Sequence, residues 1–406
     1  MKFIEGGVCA AKGFKANGIF CGLKKNPQKK DLALIVSDVL CTTASVYTTN
    51  LVKGAPIYVT QKHSEDGLAQ AIICNSGNAN TCNDNGIEIA TLMCDLAGEA
   101  LNIDANNILV SSTGVIGQKL NINPIKDHIS ELVSGLSNAS NASSLAWEGI
   151  RTTDTFKKEV AIEFEIGGKT CRMGGICKGS GMIHPNMATM LAFITTDVKI
   201  SSNMIKKALK EIIEDTFNMV SVDGDTSTND TVSILANGLA LNEEIKEEGK
   251  DYEAFKEALN LVCVYLSKAI AKDGEGATKL LVCEVLNAKT KEDAKIVSKS
   301  VICSSLLKAA MFGADANWGR VLCAIGYSKA CVDINKVDVE FESEAGIIPV
   351  CKNGAGIDFS EEIAKKILLE EDIIIRVNLN DGEYKAQAFG CDLTYDYVKI
   401  NGDYRS

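Results

Sequence analysis

The sequence predicts an α+β protein in which layered, mixed β-sheets are covered by helices. Short apolar runs alternate with amphipathic segments along all 406 residues, which is long enough for one large or two medium domains. Strands and helices do not follow one another in strict βαβ order, and this favours mixed layers over a doubly wound parallel sheet. The chain contains neither an internal repeat nor a low-complexity segment.

In the first half of the chain, apolar runs that end at small polar residues predict buried strands at 32–38, 71–77 and 107–113. Apolar residues recur at helical spacing from 87 to 101 and predict a helix there. Pro124, near the first turn of the next periodic segment, predicts a second helix over 124–135.

The second half continues the same alternation. Candidate N-caps at Ser201, Ser202 and Asn203 predict the start of a helix that ends near Phe217. Two more helices are predicted at 252–271 and 293–312. Strands are predicted at 192–200, 231–241, 279–286, 372–379 and 384–390. Glycines cluster at 170–190, and we predict the division of the chain there.

Charge and composition exclude several classes of function. The net charge of −11 argues against a nucleic-acid partner, and the short basic run KKNPQKK at 24–30 is predicted to be a solvated loop. No run approaches the ~20 apolar residues of a membrane helix. Because the first residues, MKFIEGGVCAAKGF, lack the apolar core of a signal peptide, a cytoplasmic protein is expected.

The cysteines predict neither disulfides nor a metal site. All 15 are scattered singly without a CxxC pair, and the three histidines are not spaced as ligand pairs. Buried free thiols in a reducing compartment fit this pattern best.

Three loop motifs leave their roles open. STGVIG (112–117) ends a strand in a hydroxyl and a glycine, which suits either an oxyanion hole or a simple strand-to-loop turn. DGDTSTND (223–230) does not match a calcium loop and is predicted to be a polar turn. The small-residue loops CNSGNANTC (74–82) and GADANWGR (313–320) suit pocket walls and tight turns equally well.

The stretch KGSGMIHPNMATMLAF (178–193) places Thr189 where a glycine-bearing segment enters an apolar run. A threonine at a chain N-terminus carries its own base, because its α-amine has a pKa of roughly 7.7–8.0. Attack of the Thr189 hydroxyl on the Ala188 carbonyl would cut the chain and create that amine. The local residues alone favour the plainer interpretation, in which Thr189 only opens a strand.

Several motifs together resemble the ArgJ family of glutamate N-acetyltransferases, also called ornithine acetyltransferases. KGSGMIHPNMATML follows STGVIG and precedes GADANWGR and the final NGDYRS, and the likeness begins at IEGGVCAAKGFKANGI, so it covers essentially the whole chain. Gly402 departs from the alanine expected there. The resemblance implies a fold like that of self-processing enzymes with an N-terminal threonine nucleophile.

The resemblance also implies autocatalytic cleavage at Ala188–Thr189. The products would be an α chain of residues 1–188, with the oxyanion hole and Lys178, and a β chain of residues 189–406, which begins at the nucleophile. The cleaved chains would form an α2β2 heterotetramer. The implied reaction is acetyl transfer from N2-acetyl-L-ornithine to L-glutamate in arginine biosynthesis, with no cofactor, and many members also accept acetyl-CoA.

Residue by residue, the resemblance implies that Thr189 is the nucleophile and that Thr113 and Gly114 form the oxyanion hole. Its implied substrate-binding residues are Thr152, Lys178, Thr189, Glu275, Asn401 and Ser406. A lysine can pair with a carboxylate and a glutamate with an ammonium group, as an acetylated amino acid requires. The resemblance does not require His184, which we leave outside the predicted site.

Two alternatives stay open, an N-terminal-nucleophile amidohydrolase that uses water as acceptor and a non-enzymatic scaffold.

Overall fold

The computed structural model describes residues 1–184 and 190–402, which form two β-sheets with helices packed around and between them. The helices in the described part of the chain are α1 (Ala55–His63), α2 (Gly86–Leu101), α3 (Asn123–Ser134), α4 (Ala142–Ile150), α5 (Ser202–Asp215), α6 (Lys250–Lys272), α7 (Lys291–Cys303), α8 (Ser305–Phe312), α9 (Trp318–Gly326), α10 (Glu361–Leu368) and α11 (Tyr395–Asn401).

The first sheet has nine strands among the described residues. They are β1 (Lys2–Ile4), β2 (Phe14–Ile19), β3 (Leu32–Tyr47), β4 (Leu68–Asn78), β5 (Ile108–Val115), β6 (Glu159–Ile166), β7 (Lys169–Lys178), β8 (Leu191–Thr196) and β10 (Thr231–Ala236). Their order is β1-β6-β7-β8-β10-β3-β4-β5, with β2 paired to β3. The pairs β8–β10 and β4–β5 are parallel and the others are antiparallel, so the sheet is mixed.

The second sheet has seven strands within the described ranges. They are β9 (Val220–Ser221), β11 (Leu280–Ala288), β12 (Asp338–Ser343), β13 (Gly346–Lys352), β14 (Ala355–Gly356), β15 (Asp372–Asn378) and β16 (Tyr384–Cys391). Their order is β14-β13-β12-β15-β11-β16-β9.

Helix α6 joins the two sheets into one packed body. It contacts β6 and β7 of the first sheet and β11 and β16 of the second, and its buried face includes Phe255, Leu259 and Val262. Helices α2 and α3 cover another part of the first sheet, while α4 packs on β2 and β3. The resulting layers of mixed sheet and helix confirm the predicted α+β class.

Most of the predicted elements are present, although several differ in extent. The strand predicted at 32–38 continues to Tyr47, and the helix predicted at 293–312 is two helices, α7 and α8. The strands predicted at 192–200 and 231–241 are shorter and end at Thr196 and Ala236. The division predicted at 170–190 does not separate two sheets, because β7 and β8 pair directly on either side of it. The split into chains of residues 1–188 and 189–406 stays a prediction.

The thiols agree with the sequence interpretation. All 15 cysteines are free and most are buried, and burial raises the pKa of Cys74 to about 12. None of the helices in the described ranges is long and apolar enough to cross a membrane.

Candidate active site

Six of the predicted site residues line one small cavity of about 150 Å³. These residues are Thr113, Gly114, Thr152, Lys178, Glu275 and Asn401. They come from five separate segments, each at the end of a strand or helix or in the loop that follows it. The predicted residues Ala188, Thr189 and Ser406 lie outside the described residues.

Thr113 and Gly114 lie at the end of β5, where β4 runs parallel beside it and pairs Gly77 with Gly114. Gly114 has φ of +129°, and a Cβ there would lie 2.4 Å from the carbonyl carbon of Gly77. Only glycine fits this position, because both the backbone conformation and the close strand contact exclude a side chain. The close packing holds the hydroxyl-bearing Thr113 and the Gly114 backbone side by side at the cavity wall.

Lys178 ends β7, and the sheet register fixes its position relative to the predicted nucleophile. It pairs with Leu191, the first residue of β8, which follows Thr189 by two residues in the sequence. Met190 is buried, and its carbonyl accepts a hydrogen bond from the Thr231 N–H at 2.9 Å. Lys178 thus lies beside the start of the strand that begins just after the predicted cut.

Glu275 and Asn401 form a directly hydrogen-bonded pair, although 126 residues separate them in the sequence. The Asn401 Nδ2 donates to Glu275 Oε2 at 2.8 Å, and the Glu275 side chain is largely buried. Gly181 makes room for this carboxylate, since a Cβ there would lie 2.3 Å from Oε2. The cavity therefore has a cation, Lys178, and an anion, Glu275, in its wall.

A buried ion-pair network connects the segments that carry these residues. The Lys158 ammonium contacts Asp154 at 2.6 Å and also pairs with Asp273, and all three side chains are almost fully buried. Burial would raise the pKa of Asp154, but the charges of Lys158 and then Lys178 outweigh it and hold that pKa at about 2.

Both acidic residues of the network also hold segments next to the site residues. The Asp154 carboxylate accepts from the Thr152 N–H at 3.0 Å and from the Gly179 N–H at 2.8 Å. The backbone carbonyl of Asp273 accepts from Ser180 Oγ at 2.6 Å, and the Ser180 carbonyl accepts from the Glu275 N–H at 2.9 Å. Lys158 therefore holds together the loops of Thr152, Lys178 and Glu275.

The motif DGDTSTND, which was predicted to be a local polar turn, contributes to the cavity. Ser227, Thr228 and Asn229 line it. Asn229 Nδ2 donates to the carbonyls of Ala79 at 2.6 Å and Ser112 at 3.0 Å, so it joins the segment before β10 to β5 and to the loop after β4, next to Thr113 and Gly114. The interpretation as a merely local turn was wrong, because these contacts cross more than a hundred residues of sequence. The sequence feature that could have indicated these distant contacts is the number of polar side chains in the motif, which is larger than a local turn requires.

Asp230, the last residue of the same motif, is buried beside the site. Its Oδ2 has no hydrogen-bond partner within the described part of the chain. Burial raises its pKa well above the usual range, and the charge of Lys178 and hydrogen bonds with Ser227 and Thr48 oppose that rise only in part.

His184 is half-buried and is not among the described residues that line the small cavity. Its Nδ1 lies 3.0 Å from Ser221 Oγ, and its carbonyl accepts from Thr226 Oγ1 at 2.8 Å. Burial, and then the charge of Lys299, lower its pKa to about 4, so the ring is neutral at physiological pH. Nearby, Asp223 accepts from the Ile183 N–H at 2.8 Å and helps fix the segment that leads to the predicted cut.

Of the two small-residue loops, one reaches the site and the other does not. Ala79, from CNSGNANTC, lines the cavity beside Gly114. In GADANWGR, Trp318 instead packs against the core that the second sheet shares with its helices. In the described ranges no three His, Cys, Asp or Glu side chains are grouped to hold a metal.

The sequence is similar to those of known proteins over nearly its whole length. The family model described as the ArgJ family matches residues 15–406. The chain belongs to the ArgJ family. A relative from Clostridium acetobutylicum, "Arginine biosynthesis bifunctional protein ArgJ 1", is 50% identical and covers 97% of this chain and 96% of its own length. A second, "Arginine biosynthesis bifunctional protein ArgJ" from Caldanaerobacter subterraneus subsp. tengcongensis, is 47% identical over 100% of both chains.

A solved ArgJ structure extends the likeness to three dimensions. The crystal structure of "Arginine biosynthesis bifunctional protein argJ" from Bacillus halodurans matches with 47% identity and a TM-score of 0.50. The match covers 98% of that crystallised chain and 52% of this one. The predicted family is confirmed, and the chain is an enzyme of the ArgJ family.

Proposed function

We propose that this ArgJ-family enzyme is a glutamate N-acetyltransferase. It moves the acetyl group of N2-acetyl-L-ornithine to L-glutamate in arginine biosynthesis and releases L-ornithine and N-acetyl-L-glutamate. The observation that carries the proposal is the small cavity in which Thr113, Gly114, Thr152, Lys178, Glu275 and Asn401 converge. Its walls offer oxyanion donors and one charge of each sign, which are the groups that an acetylated amino acid needs.

The proposed reaction has two half-reactions that share one acetyl-enzyme intermediate. Thr189 Oγ attacks the acetyl carbonyl carbon while the Thr189 α-amine takes the hydroxyl proton. The C–N bond then breaks, and the ornithine α-amine leaves with that proton. In the second half-reaction the glutamate amine attacks the acetyl ester, and Thr189 Oγ recovers a proton.

Charge stabilisation in this scheme comes from Thr113 and Gly114. The Thr113 hydroxyl and the Gly114 N–H would donate to the oxyanion of each tetrahedral intermediate, a contribution of about 2.7–4 kcal/mol per donor in related acyl chemistry. Lys178 would pair with a substrate carboxylate and Glu275 with a substrate ammonium group. Thr152, Asn401 and Ser406 would complete the binding of the substrate.

The nucleophile requires that the Ala188–Thr189 bond be cut. We propose that Thr189 cuts it by attacking the Ala188 carbonyl, which forms an ester that water resolves into chains of residues 1–188 and 189–406. The Bacillus halodurans match supports this step, because an almost complete crystallised chain spans only about half of this sequence.

Substitution of the nucleophile tests the cleavage. The Thr189→Ala variant should run as one 406-residue chain on a denaturing gel, because it lacks the attacking hydroxyl. The Thr189→Ser variant, which keeps a hydroxyl, should still give two chains. Two chains from Thr189→Ala would rule out this nucleophile.

Incubation of the cleaved enzyme with acetylornithine alone tests the intermediate. The 189–406 chain should gain the mass of one acetyl group, and later addition of glutamate should remove it. An unmodified chain would count against the covalent route. Release of ornithine without glutamate, at a rate comparable to that with glutamate, would favour the amidohydrolase that uses water.

The remaining features of the proposal follow from the same chemistry. All reacting groups belong to the chain or its substrates, so we propose no metal and no cofactor, and acetyl-CoA as a second acetyl donor. We also propose that two copies of each cleaved chain form an α2β2 heterotetramer in the cytoplasm.

A further inference from the structure

The chain on either side of the predicted cut is anchored by residues that would belong to the 189–406 chain. Downstream, the Met190 carbonyl accepts from the Thr231 N–H at 2.9 Å, and β8 then runs along β10. Upstream, the turn between β9 and β10 holds residues 182–184. In the sequence, only the five residues 185–189 separate the two anchors.

Asp223 makes the central contacts of the upstream anchor. Its Oδ2 accepts from the Met182 N–H at 2.7 Å, and its Oδ1 accepts from the Ile183 N–H at 2.8 Å. In the same turn, Thr226 Oγ1 donates to the His184 carbonyl at 2.8 Å. These hydrogen bonds tie three consecutive residues before the predicted cut to one turn.

Met182 has a backbone conformation that depends on such an anchor. Its φ of +56° lies in the left-handed region, which is unfavourable for a residue with a Cβ atom. Conformations of this kind persist where the surrounding contacts hold them, and they concentrate at functional sites. Here the consecutive N–H groups of Met182 and Ile183 both donate to one carboxylate, as in the backbone turns that bind anions.

The carboxylate that receives these hydrogen bonds has no counter-charge. Asp223 is half-buried, and within the described part of the chain no salt bridge includes it. Burial raises its pKa, and the hydrogen bonds from Ile183 and Met182 oppose that rise only in part. A carboxylate in these surroundings adds little to the stability of a fold, so its position calls for a functional explanation.

We propose that Asp223 is a positioning residue for the self-cleavage at Ala188–Thr189. The inference rests on the cleavage proposed above. Attack within one chain is fast only when the two reacting groups are held close to their reacting geometry. Because Asp223 fixes Met182 and Ile183, it restricts where the Ala188 carbonyl can lie relative to the Thr189 hydroxyl.

Asp223 exchanges no proton in the cleavage. Thr189 Oγ forms a bond to the Ala188 carbonyl carbon, the C–N bond breaks, and the Thr189 nitrogen gains the hydroxyl proton. Water then divides the ester into a carboxylic acid at Ala188 and a hydroxyl group at Thr189. After the cut, the contacts of Asp223 would hold the end of the 1–188 chain against the 189–406 chain.

The rate of self-cleavage tests this role. In cell-free pulse–chase translation, the 406-residue precursor of Asp223→Asn should persist about tenfold longer than that of the wild type, because an amide oxygen alone cannot replace both carboxylate acceptors. Thr226→Val, which removes the hydroxyl that donates to His184, should slow cleavage by about threefold. This second variant tests the anchor even if Asp223→Asn does not fold.

Asp225→Asn is the matched control. It removes the same charge from the same turn, but its exposed carboxylate accepts no hydrogen bond in the described ranges, so cleavage should keep the wild-type rate. Slowing equal to that of Asp223→Asn would show that the charge of the turn matters and not the two hydrogen bonds, and would overturn the inference.

Hydrogen exchange separates positioning from a general loss of stability. In the uncut Thr189→Ala chain, Asp223→Asn should speed exchange in a peptide that covers residues 181–184 by about tenfold, while peptides from β3 and β11 keep their protection. Faster exchange in all three peptides, or in none, would contradict a local positioning role.

The outcomes also separate this inference from the proposed function. If the wild-type chain is cut and Asp223→Asn is cut at the same rate, the inference fails and the proposed cleavage stands. If the wild-type chain stays whole, the proposed cleavage fails, and the inference with it. Fully cleaved Asp223→Asn should transfer acetyl groups at close to the wild-type rate, because Asp223 acts before the cut. A loss of transfer as large as the loss of cleavage would instead place Asp223 in the substrate site and overturn the inference.

Discussion

Two adjacent residues at the candidate active site, Asn229 and Asp230, differ in how completely their polar groups are hydrogen-bonded. Asn229 donates two hydrogen bonds through Nδ2 and accepts from the hydroxyls of Thr81 and Thr228 through Oδ1. Asp230, the next residue, is equally buried but leaves Oδ2 unpartnered among the described residues. A buried carboxylate without full hydrogen bonding opposes folding, so Asp230 stands out as a residue that does not serve stability.

The raised pKa of Asp230 predicts how stability depends on pH. A carboxyl whose pKa is raised in the folded state contributes its full stability at pH values below its unfolded-state pKa of about 3.9. That stability is lost as the pH rises through the folded-state pKa. The Asp230→Asn variant does not titrate there. Its apparent Tm relative to wild type should therefore increase from pH 4 to pH 7.5, as measured by thermal unfolding across that range.

The exposed Asp358 provides the control for this measurement. The Asp358→Asn variant makes the same substitution at the surface and leaves Asp230 in place, so its Tm relative to wild type should not show that increase. A constant Tm difference between Asp230→Asn and wild type across the range would contradict the raised pKa.

The family resemblance of the sequence named residues that the structure brings to one cavity, whereas the residues that position them could not be predicted. Thr113, Gly114, Lys178 and Glu275 occur in short motifs that carry the resemblance, and their chemical roles stay predictions. Lys158 acts through Asp273, 115 residues away, and Asn229 through Ser112, 117 residues away. Nothing near either residue in the sequence shows its partner, and a lysine between other charged residues resembles any solvated surface position.

At the level of secondary structure, the site is built from loops that the ion-pair network of Lys158, Asp154 and Asp273 ties together. The loop before β6 carries Thr152, the end of β7 carries Lys178, and the turn after α6 carries Glu275. Thr152 and Glu275 lie in irregular backbone, so their positions relative to Lys178, which the sheet register fixes, depend on side-chain contacts more than on strand pairing. The network supplies those contacts from a single buried ammonium group.

Removal of that ammonium group should be costly. In the Lys158→Met variant, Asp154 and Asp273 both stay buried without their counter-charge, and the expected loss in free energy of unfolding is about 3–5 kcal/mol. The adjacent Lys157 pairs with Glu159 at the surface, so Lys157→Met should cost less than about 1 kcal/mol. Chemical denaturation of the uncleaved Thr189→Ala chain, with each change added, gives the two values. Similar losses in both variants would show that the buried network does not stabilise the loops.

The predicted bounds of the elements were wrong where a tertiary contact or a helix cap outweighed the local apolar periodicity. The apolar pattern over 293–312 continues through Ser304, but its Oγ accepts from the Leu307 N–H at 3.3 Å and starts α8 as a separate helix. Strand β3 runs past its apolar start because β10 pairs with its polar second half. Helix α11 has no buried residue, so its sequence lacks the apolar face from which a helix could be predicted.

At the scale of the whole molecule, the two predicted chains are interleaved in one sheet. Strands β8 and β10 belong to residues 189–406, and they lie between β7 and β3, which belong to residues 1–188. On one side β8 pairs with β7, as in the pair Thr196 with Met173. On the other side β10 pairs with β3, as in the pair Thr231 with Tyr47. Separation of the chains would remove the centre of the sheet and expose four strand edges.

This interleaving predicts that cleavage leaves the fold intact. After the Ala188–Thr189 bond is cut, both chains should elute together from a size-exclusion column in native buffer, at the volume of the uncleaved Thr189→Ala protein. The backbone hydrogen bonds of β7–β8 and β3–β10 do not depend on that bond, and the core around Ile194 and Val232 stays buried. Only denaturant should separate the chains. Elution of two separate chains in native buffer would show that the continuous backbone, and not the shared sheet, holds the molecule together.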